Sequence, residues 1–128
     1  MSTQTCNLLI IDDDADIVEL IKETLSTVEN TKFNVNVSDN GQMGYVKAKE
    51  LKPDLIILDV VMPRWNGFQT FEKLKSFDDT AKIPVIFLTA AHEKADIDKA
   101  VQLGVKHYLT KPFKPESLLK KVKEILGG

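Results

Sequence analysis

A chain of 128 residues suits one domain of ordinary size, long enough to bury a core. Its 43% hydrophobic and 28% charged residues are those of a globular protein, and a net charge of −2 lacks the basic excess expected of nucleic-acid binding. No apolar run approaches the ~20 residues of a membrane span, the start MSTQTCNLLI has no signal-peptide pattern, and the single cysteine, Cys6, permits no intrachain disulfide and suits a reducing cytoplasm.

The first element is a short apolar run, LLII (8–11), read as a buried strand. Ile17, Leu20, Ile21, Leu25 and Val28 then recur at helical spacing. FNVNVS, from Phe33, alternates with period two and predicts a strand. Residues 40–51 predict a weaker helix with Met43, Val46 and Leu51 inward. LIIL (55–58) is a second continuous apolar strand. A helix follows over 67–77, with Phe68, Phe71 and Leu74 on one side, and Pro84 opens the strand PVIFL. Residues 96–103 predict a helix carrying Ile97, Ala100 and Val101, stopped by Gly104. VKHYL (105–109) is a short strand, and Leu118, Leu119, Val122, Ile125 and Leu126 line a last helix from Pro115. Five strands alternating with five helices imply an α/β, doubly wound parallel sheet, with residues 1–128 forming one domain. Strands as apolar as LLII, LIIL and VIFL suit a sheet covered on both faces.

In such a sheet, ligands bind beyond the carboxyl ends of the strands. The polar residues there are therefore the candidates for function. The first strand ends in Asp12, Asp13 and Asp14, the third in Asp59, the fourth in Thr89, and the fifth is followed by Lys111. Ser38 and Asp39, after the second, lie to one side if that strand is an edge. Clustered carboxylates without histidine or cysteine suit a hard divalent cation, Mg²⁺ above all. A carboxylate can also attack phosphorus to form an aspartyl phosphate. Such a transfer needs positive charge on the phosphoryl oxygens, from a metal ion and a lysine, while a hydroxyl can bond a further oxygen. Taken singly, each residue has a plain structural role open to it. An aspartate after a strand is a natural helix N-cap, and Asp14 suits that role best. The joint arrangement at four strand ends points to a site. The turn after the first strand has no glycine-rich loop, which disfavours a nucleotide site of the flavodoxin or dinucleotide type.

IIDDD, LIILDVVMPRWNG (55–67), FLTA (87–90) and YLTKPF (108–113) together resemble the receiver domains of two-component response regulators, over nearly the whole chain. The resemblance implies a flavodoxin-like strand order 2-1-3-4-5, an order for which a member of this family is a standard example. It implies Asp59 as phosphoacceptor and Mg²⁺ bound directly by Asp13 and Asp59. Asp12 would hold a metal-bound water, and the backbone carbonyl of Val61 would complete the protein ligands. Lys111 would pair with the phosphoryl group, followed by a cis bond to Pro112. Thr89 and Tyr108 would form a switch, the hydroxyl drawn to the phosphoryl group and the ring turning into the space left. The output surface would be the fourth helix, fifth strand and fifth helix (96–103, 106–109 and 115–126). The phosphodonor would be a sensor histidine kinase or histidine phosphotransfer protein, and the target a downstream protein, with no nucleic acid or membrane insertion.

Two other readings stand beside it. One is a Mg²⁺-dependent phosphohydrolase using Asp59 on small phosphoesters, although LDVVM has no second aspartate to serve as general acid and no lid insertion follows. The other is an unphosphorylated receiver-like scaffold, against which every chemical residue is present. Trp65 fits either an exposed partner anchor or a packing cap on the helix from Gly67. Where many family members have proline, Ala15 gives up a rigid helix start but no chemistry. The side chains of Val61 and Ala91 cannot hydrogen-bond a hydrolytic water, so the aspartyl phosphate is expected to be longer-lived than in members with polar residues there. Val61→Asn combined with Ala91→Glu should therefore speed dephosphorylation, measured as decay of the phosphorylated form; an unchanged rate would refute the expectation.

Overall fold

A computed structural model of the chain describes residues 4–60, 62, 65–90 and 94–127. Five parallel strands form one sheet in the order β2-β1-β3-β4-β5. They are β1 (Gln4–Ile11), β2 (Thr31–Ser38), β3 (Leu55–Asp59), β4 (Val85–Ala90) and β5 (His107–Lys111). The helices are α1 (Ala15–Leu25), α2 (Gly41–Leu51), α3 (Gly67–Lys75), α4 (Asp78–Ala81), α5 (Lys94–Gln102) and α6 (Pro115–Ile125). The predicted fourth and fifth helices are thus α5 and α6. Among the described residues no helix is long and apolar enough to cross a membrane.

Alternation along each strand divides the core in two. Leu8, Ile10, Ile57 and Leu88 pack under α1 and α6 with Ile21, Leu118 and Val122. Leu9, Ile11, Leu58 and Phe87 face the other way, toward Phe68, Phe71 and Leu74 of α3 and Ala100 of α5. Phe87 meets Phe71 edge-on at 5.3 Å between ring centroids, a favoured aromatic geometry. All five residues of β3 are buried, as its central place requires. β1 is longer than the apolar run that announced it. Its first four residues pair only with β2, whereas β3 joins from Leu8 onward, so the hydrophobic demand begins there. Cys6 is buried in that leading half. Burial, with the charge of Asp54 second, pushes its thiol up to about 11, so it is a protonated packing group at neutral pH.

Four predicted elements differ in detail. Met43 and Leu51, expected inward, are 49% and 43% exposed, while Gly41, Gly44 and Ala48 form the buried face of α2. A Cβ on Gly44 would lie 2.5 Å from Ile11 Cδ1, so α2 approaches the sheet through its small residues and its large ones turn outward. Val101, expected on the apolar face of α5, is likewise 59% exposed beside fully buried Ala100. The helix expected over 67–77 stops at Lys75. Thr80 Oγ1 donates to Leu74 O at 2.6 Å and folds the chain into the short α4, which hydrophobic spacing did not reveal. The strand expected over 105–109 begins two residues later. Gly104, at φ +85°, closes α5 with Gly104 N donating to Val101 O and Val105 N to Ala100 O, a Schellman arrangement that takes Val105 out of the sheet.

Gly44→Ala should destabilise the fold by about 1–3 kcal/mol through overpacking. Combination with Ile11→Val should recover part of that loss in urea denaturation. Purely additive losses would refute the contact as the cause.

Candidate functional site

Strand register builds the site. Ile11 pairs with Leu58 and Asp59 with Leu88, so Asp12 and Asp59 leave adjacent strand ends side by side. Thr89 pairs with Thr110, and Ala90 with Lys111, which places β5's terminal lysine one strand further along. Asp12, Asp59 and Thr89 are buried, at 2%, 5% and 1% exposure, while Asp13 is exposed. Carboxylate oxygens of Asp12, Asp13 and Asp59 all lie within 4.8 Å of one another.

The three aspartates of the first turn have separate tasks. Asp12 Oδ1 accepts from Asp14 N at 2.9 Å, and Asp12 N donates to Ser38 O at 3.0 Å, fixing the turn to β2. Asp14 is the N-cap of α1, accepting from Asp16 N at 3.0 Å and Ile17 N at 3.4 Å, as its sequence position suggested. Asp13 is left projecting at the mouth of the cluster. Lys111 Nζ bridges the buried pair, 3.2 Å from Asp12 Oδ2 and 3.3 Å from Asp59 Oδ1. Burial of Lys111 works to lower its pKa, but Asp59 and Asp12 outweigh it and hold the ammonium above its ordinary value. The Lys111–Pro112 peptide is cis.

The loop after Asp59 is tied down at both ends. Val60 N donates to Leu88 O at 3.1 Å, and Gly67 N donates to Val60 O at 2.8 Å. A Cβ on Gly67 would come 2.5 Å from Asp59 O and 2.7 Å from Val60 Cα, so only glycine fits against this backbone. Gly67 is thus a site-shaping residue that the sequence marked only as a helix start; the Asn66-Gly67 pair was its signal. Asn66 caps α3 in a capping box with Gln69. Trp65 is half-buried, with its ring 6.1 Å from that of Tyr45 and Lys73 Nζ 5.8 Å from its centroid. These contacts favour packing over a free anchor. Tyr108 is half-buried against the α3 and α5 side of the core. β2 is an edge strand, and Ser38 Oγ turns to Asn40 O at 3.0 Å, away from the cluster. Val61, Arg64, Ala91 and His92 lie outside the described residues.

Buried carboxylates bridged by a lysine, with a third carboxylate at the mouth, form a site for cations and anionic oxygens together. Residues 8–123 match the family model for the response regulator receiver domain. The chain belongs to that family. It is 36% identical to protein PilH of Pseudomonas aeruginosa, over 94% of this chain and 98% of that protein. It is 38% identical to RpaA of Synechocystis, a DNA-binding dual master transcriptional regulator, over 93% of this chain but 48% of RpaA. The chain thus spans about half the length of RpaA and nearly all of PilH. Its fold is similar to that of the chemotaxis protein CheY4 of Vibrio cholerae, with a TM-score of 0.83, 26% identity, and 94% and 98% of the two chains covered. The chain is a response regulator receiver domain, in the flavodoxin-like fold its sequence implied.

Lys111→Gln should remove the ammonium that contacts both Asp12 and Asp59. Breaking a buried pair costs about 3–5 kcal/mol, and the partial exposure of Lys111 brings the expected loss to about 1–3 kcal/mol at pH 7. Lys111's own contribution is complete below the unfolded lysine value near 10.4 and fades as pH rises through its raised folded value. Equal denaturation midpoints at pH 7 would contradict this account.

Proposed function

We propose that Asp59 is the phosphoacceptor, and that its modification is read by a protein partner on the face formed by α5, β5 and α6. The observation that carries this reading is the bridging position of Lys111 between Asp59 and Asp12. An ammonium that contacts the nucleophile's carboxylate is positioned to pair with a phosphoryl oxygen delivered to that same carboxylate.

In the proposed reaction, an Asp59 carboxylate oxygen bonds to phosphorus as the donor's bond to that phosphorus breaks. The donor is the phosphohistidine of a sensor histidine kinase or of a histidine phosphotransfer protein. Lys111 then moves its charge from the bare carboxylate to the new phosphoryl oxygens. Asp12, tied by its backbone to Ser38 and by its side chain to Asp14 N, keeps its carboxylate beside the site throughout. The oxygen-only donor set of Asp12, Asp13 and Asp59 fits Mg²⁺. Asp13 and Asp59 would hold the ion directly, Asp12 through water, with the backbone carbonyl of Val61 as a further ligand. The chemistry Mg²⁺ supplies when bound is neutralisation of charge between anionic nucleophile and anionic phosphoryl group.

Thr89 and Tyr108 are the proposed relay. Thr89 stands on β4, two positions along from Phe87, which pairs with Tyr108 of β5. A shift of the Thr89 hydroxyl toward the phosphoryl group would open room for the half-buried Tyr108 ring, a two-state element biased by a local charge. We read residues 1–128 as one receiver domain that acts in the cytoplasm, without turnover of a separate substrate and without contacts of its own to nucleic acid. The family relationship supports this reading and lends none to a phosphohydrolase.

The deciding experiment is incubation with Mg²⁺ and acetyl phosphate. An acid-stable, hydroxylamine-labile phosphoryl adduct should form on the wild type and be missing from Asp59→Ala. Mg²⁺ alone should raise the thermal midpoint of the wild type and leave that of Asp13→Ala unmoved. An adduct that survives Asp59→Ala, or steady release of product from a phosphoester, would overturn the proposal.

A further inference from the structure

The pole of the sheet opposite the aspartates holds a second feature that the receiver chemistry does not use. A crevice of about 330 Å³ opens at the amino ends of β4 and β5, between the end of α3 and the end of α6. Lys75, Lys82, Lys106 and His107 line it, with Glu124 the one carboxylate in its wall among the described residues. Its floor is apolar, from Phe71, Ile83, Val85 and Ile125. In a chain of net charge −2, this is a concentration of positive charge against the average.

One of these cations is held by contacts, and two others have no ion-pair partner among the described residues. Lys75 Nζ donates to Ala81 O at 2.7 Å and sits 5.1 Å from the centre of the Phe71 ring, which fixes it in the wall. Among the described residues neither Lys82 nor Lys106 forms an ion pair or a side-chain hydrogen bond. Burial and then the charge of Lys106 lower the pKa of Lys75. Burial and then Lys121 lower that of His107, with Lys106 adding to the effect and Glu124 opposing it. The positive groups therefore feel one another across the crevice. Gly104 stands at the rim with φ +85°, and a Cβ there would meet nothing within 4 Å, so the mouth is open.

We propose that this crevice binds a small phosphate-bearing anion. Lysines act as point charges for phosphate oxygens, and a cleft in which one sign of charge outweighs the other, here three lysines against Glu124, focuses its field on an incoming ion. The volume lies at the lower end of the range for small-molecule sites, enough for a phosphate or diphosphate and a compact body on the apolar floor. A neutral His107 adds a hydrogen-bonding ring at the wall. The site is separate from Asp59, since it sits where β4 and β5 begin and the aspartates cluster where strands end.

The test is a titration of the ¹⁵N-labelled full chain, without Mg²⁺ and at constant ionic strength, with sodium pyrophosphate in one arm and adenosine 5′-monophosphate in the other. Saturable NMR shifts are expected in the amides of 82–85 and 104–107. Pyrophosphate saturating alone would place recognition in the phosphate groups, and tighter binding of the nucleotide would add the apolar floor; either supports the proposal. Lys82→Gln with Lys106→Gln, both on exposed side chains, should weaken binding at least five-fold while the untouched amide spectrum shows the fold intact. Asp59→Asn should leave binding unchanged, which separates this result from the fate of the phosphoacceptor reading. Shifts that never saturate, that persist equally in the double variant, or that fall on residues 12, 59 and 111 instead would overturn the proposal.

Discussion

The Lys111 ammonium, held between Asp12 and Asp59, is the interaction around which the site is built. Two carboxylates at neighbouring strand ends repel strongly when they leave water. The β1–β3 register brings them together regardless, because Ile11 must pair with Leu58 for the core to form. Lys111 makes that meeting tolerable, and it comes from the strand furthest from β1 on that side of the sheet. The charge balance of the site thus depends on β1, β3 and β5 being assembled in order. An incoming phosphoryl group adds more negative charge at a place where a cation already waits and where an oxygen-rich cluster can hold another.

Close approach is the second constraint, and glycine meets it. Gly44 lets α2 press onto Ile11, directly before the aspartates. Gly67 lets the chain after Asp59 turn back until its N–H reaches Val60 O. One glycine sets how near a helix lies to the strand that carries Asp12. The other sets how near the start of α3 lies to the backbone of Asp59 and Val60. Packing and chemistry meet at these two positions, since a methyl group at either would push on the backbone or strand that presents a carboxylate.

Much of this was legible in the order of residues. LLII before Asp12, LIIL before Asp59 and VIFL before Thr89 each announced a buried parallel strand and the polar group at its end. Asp14 was legible as a cap because Asp16 and Ile17 open a helix behind it. The misses share one cause. Met43, Leu51 and Val101 are large apolar residues that hydrophobic spacing turns inward, yet their helices bury glycine and alanine instead. A pattern of apolar residues records what a helix could bury, whereas the distance to the sheet decides what it does bury. Likewise α4 rests on a threonine hydroxyl capturing a carbonyl six residues back, a contact with no periodic signature.

The sequence by itself determined the alternation of strands and helices, the sheet covered on both faces, and the set of residues that end on its carboxyl edge. These follow from local periodicity and from the chemistry of single side chains. Only the tertiary structure decided that Lys111 bridges two carboxylates, that Asp13 is the exposed member of the cluster it forms with Asp12 and Asp59, and that lysines from α3, β4's approach and β5's approach meet at the opposite pole. Those facts depend on strand order and register, which bring together residues up to a hundred positions apart. Charges so distant in the chain have no influence on one another until the packed core holds them within a few ångströms.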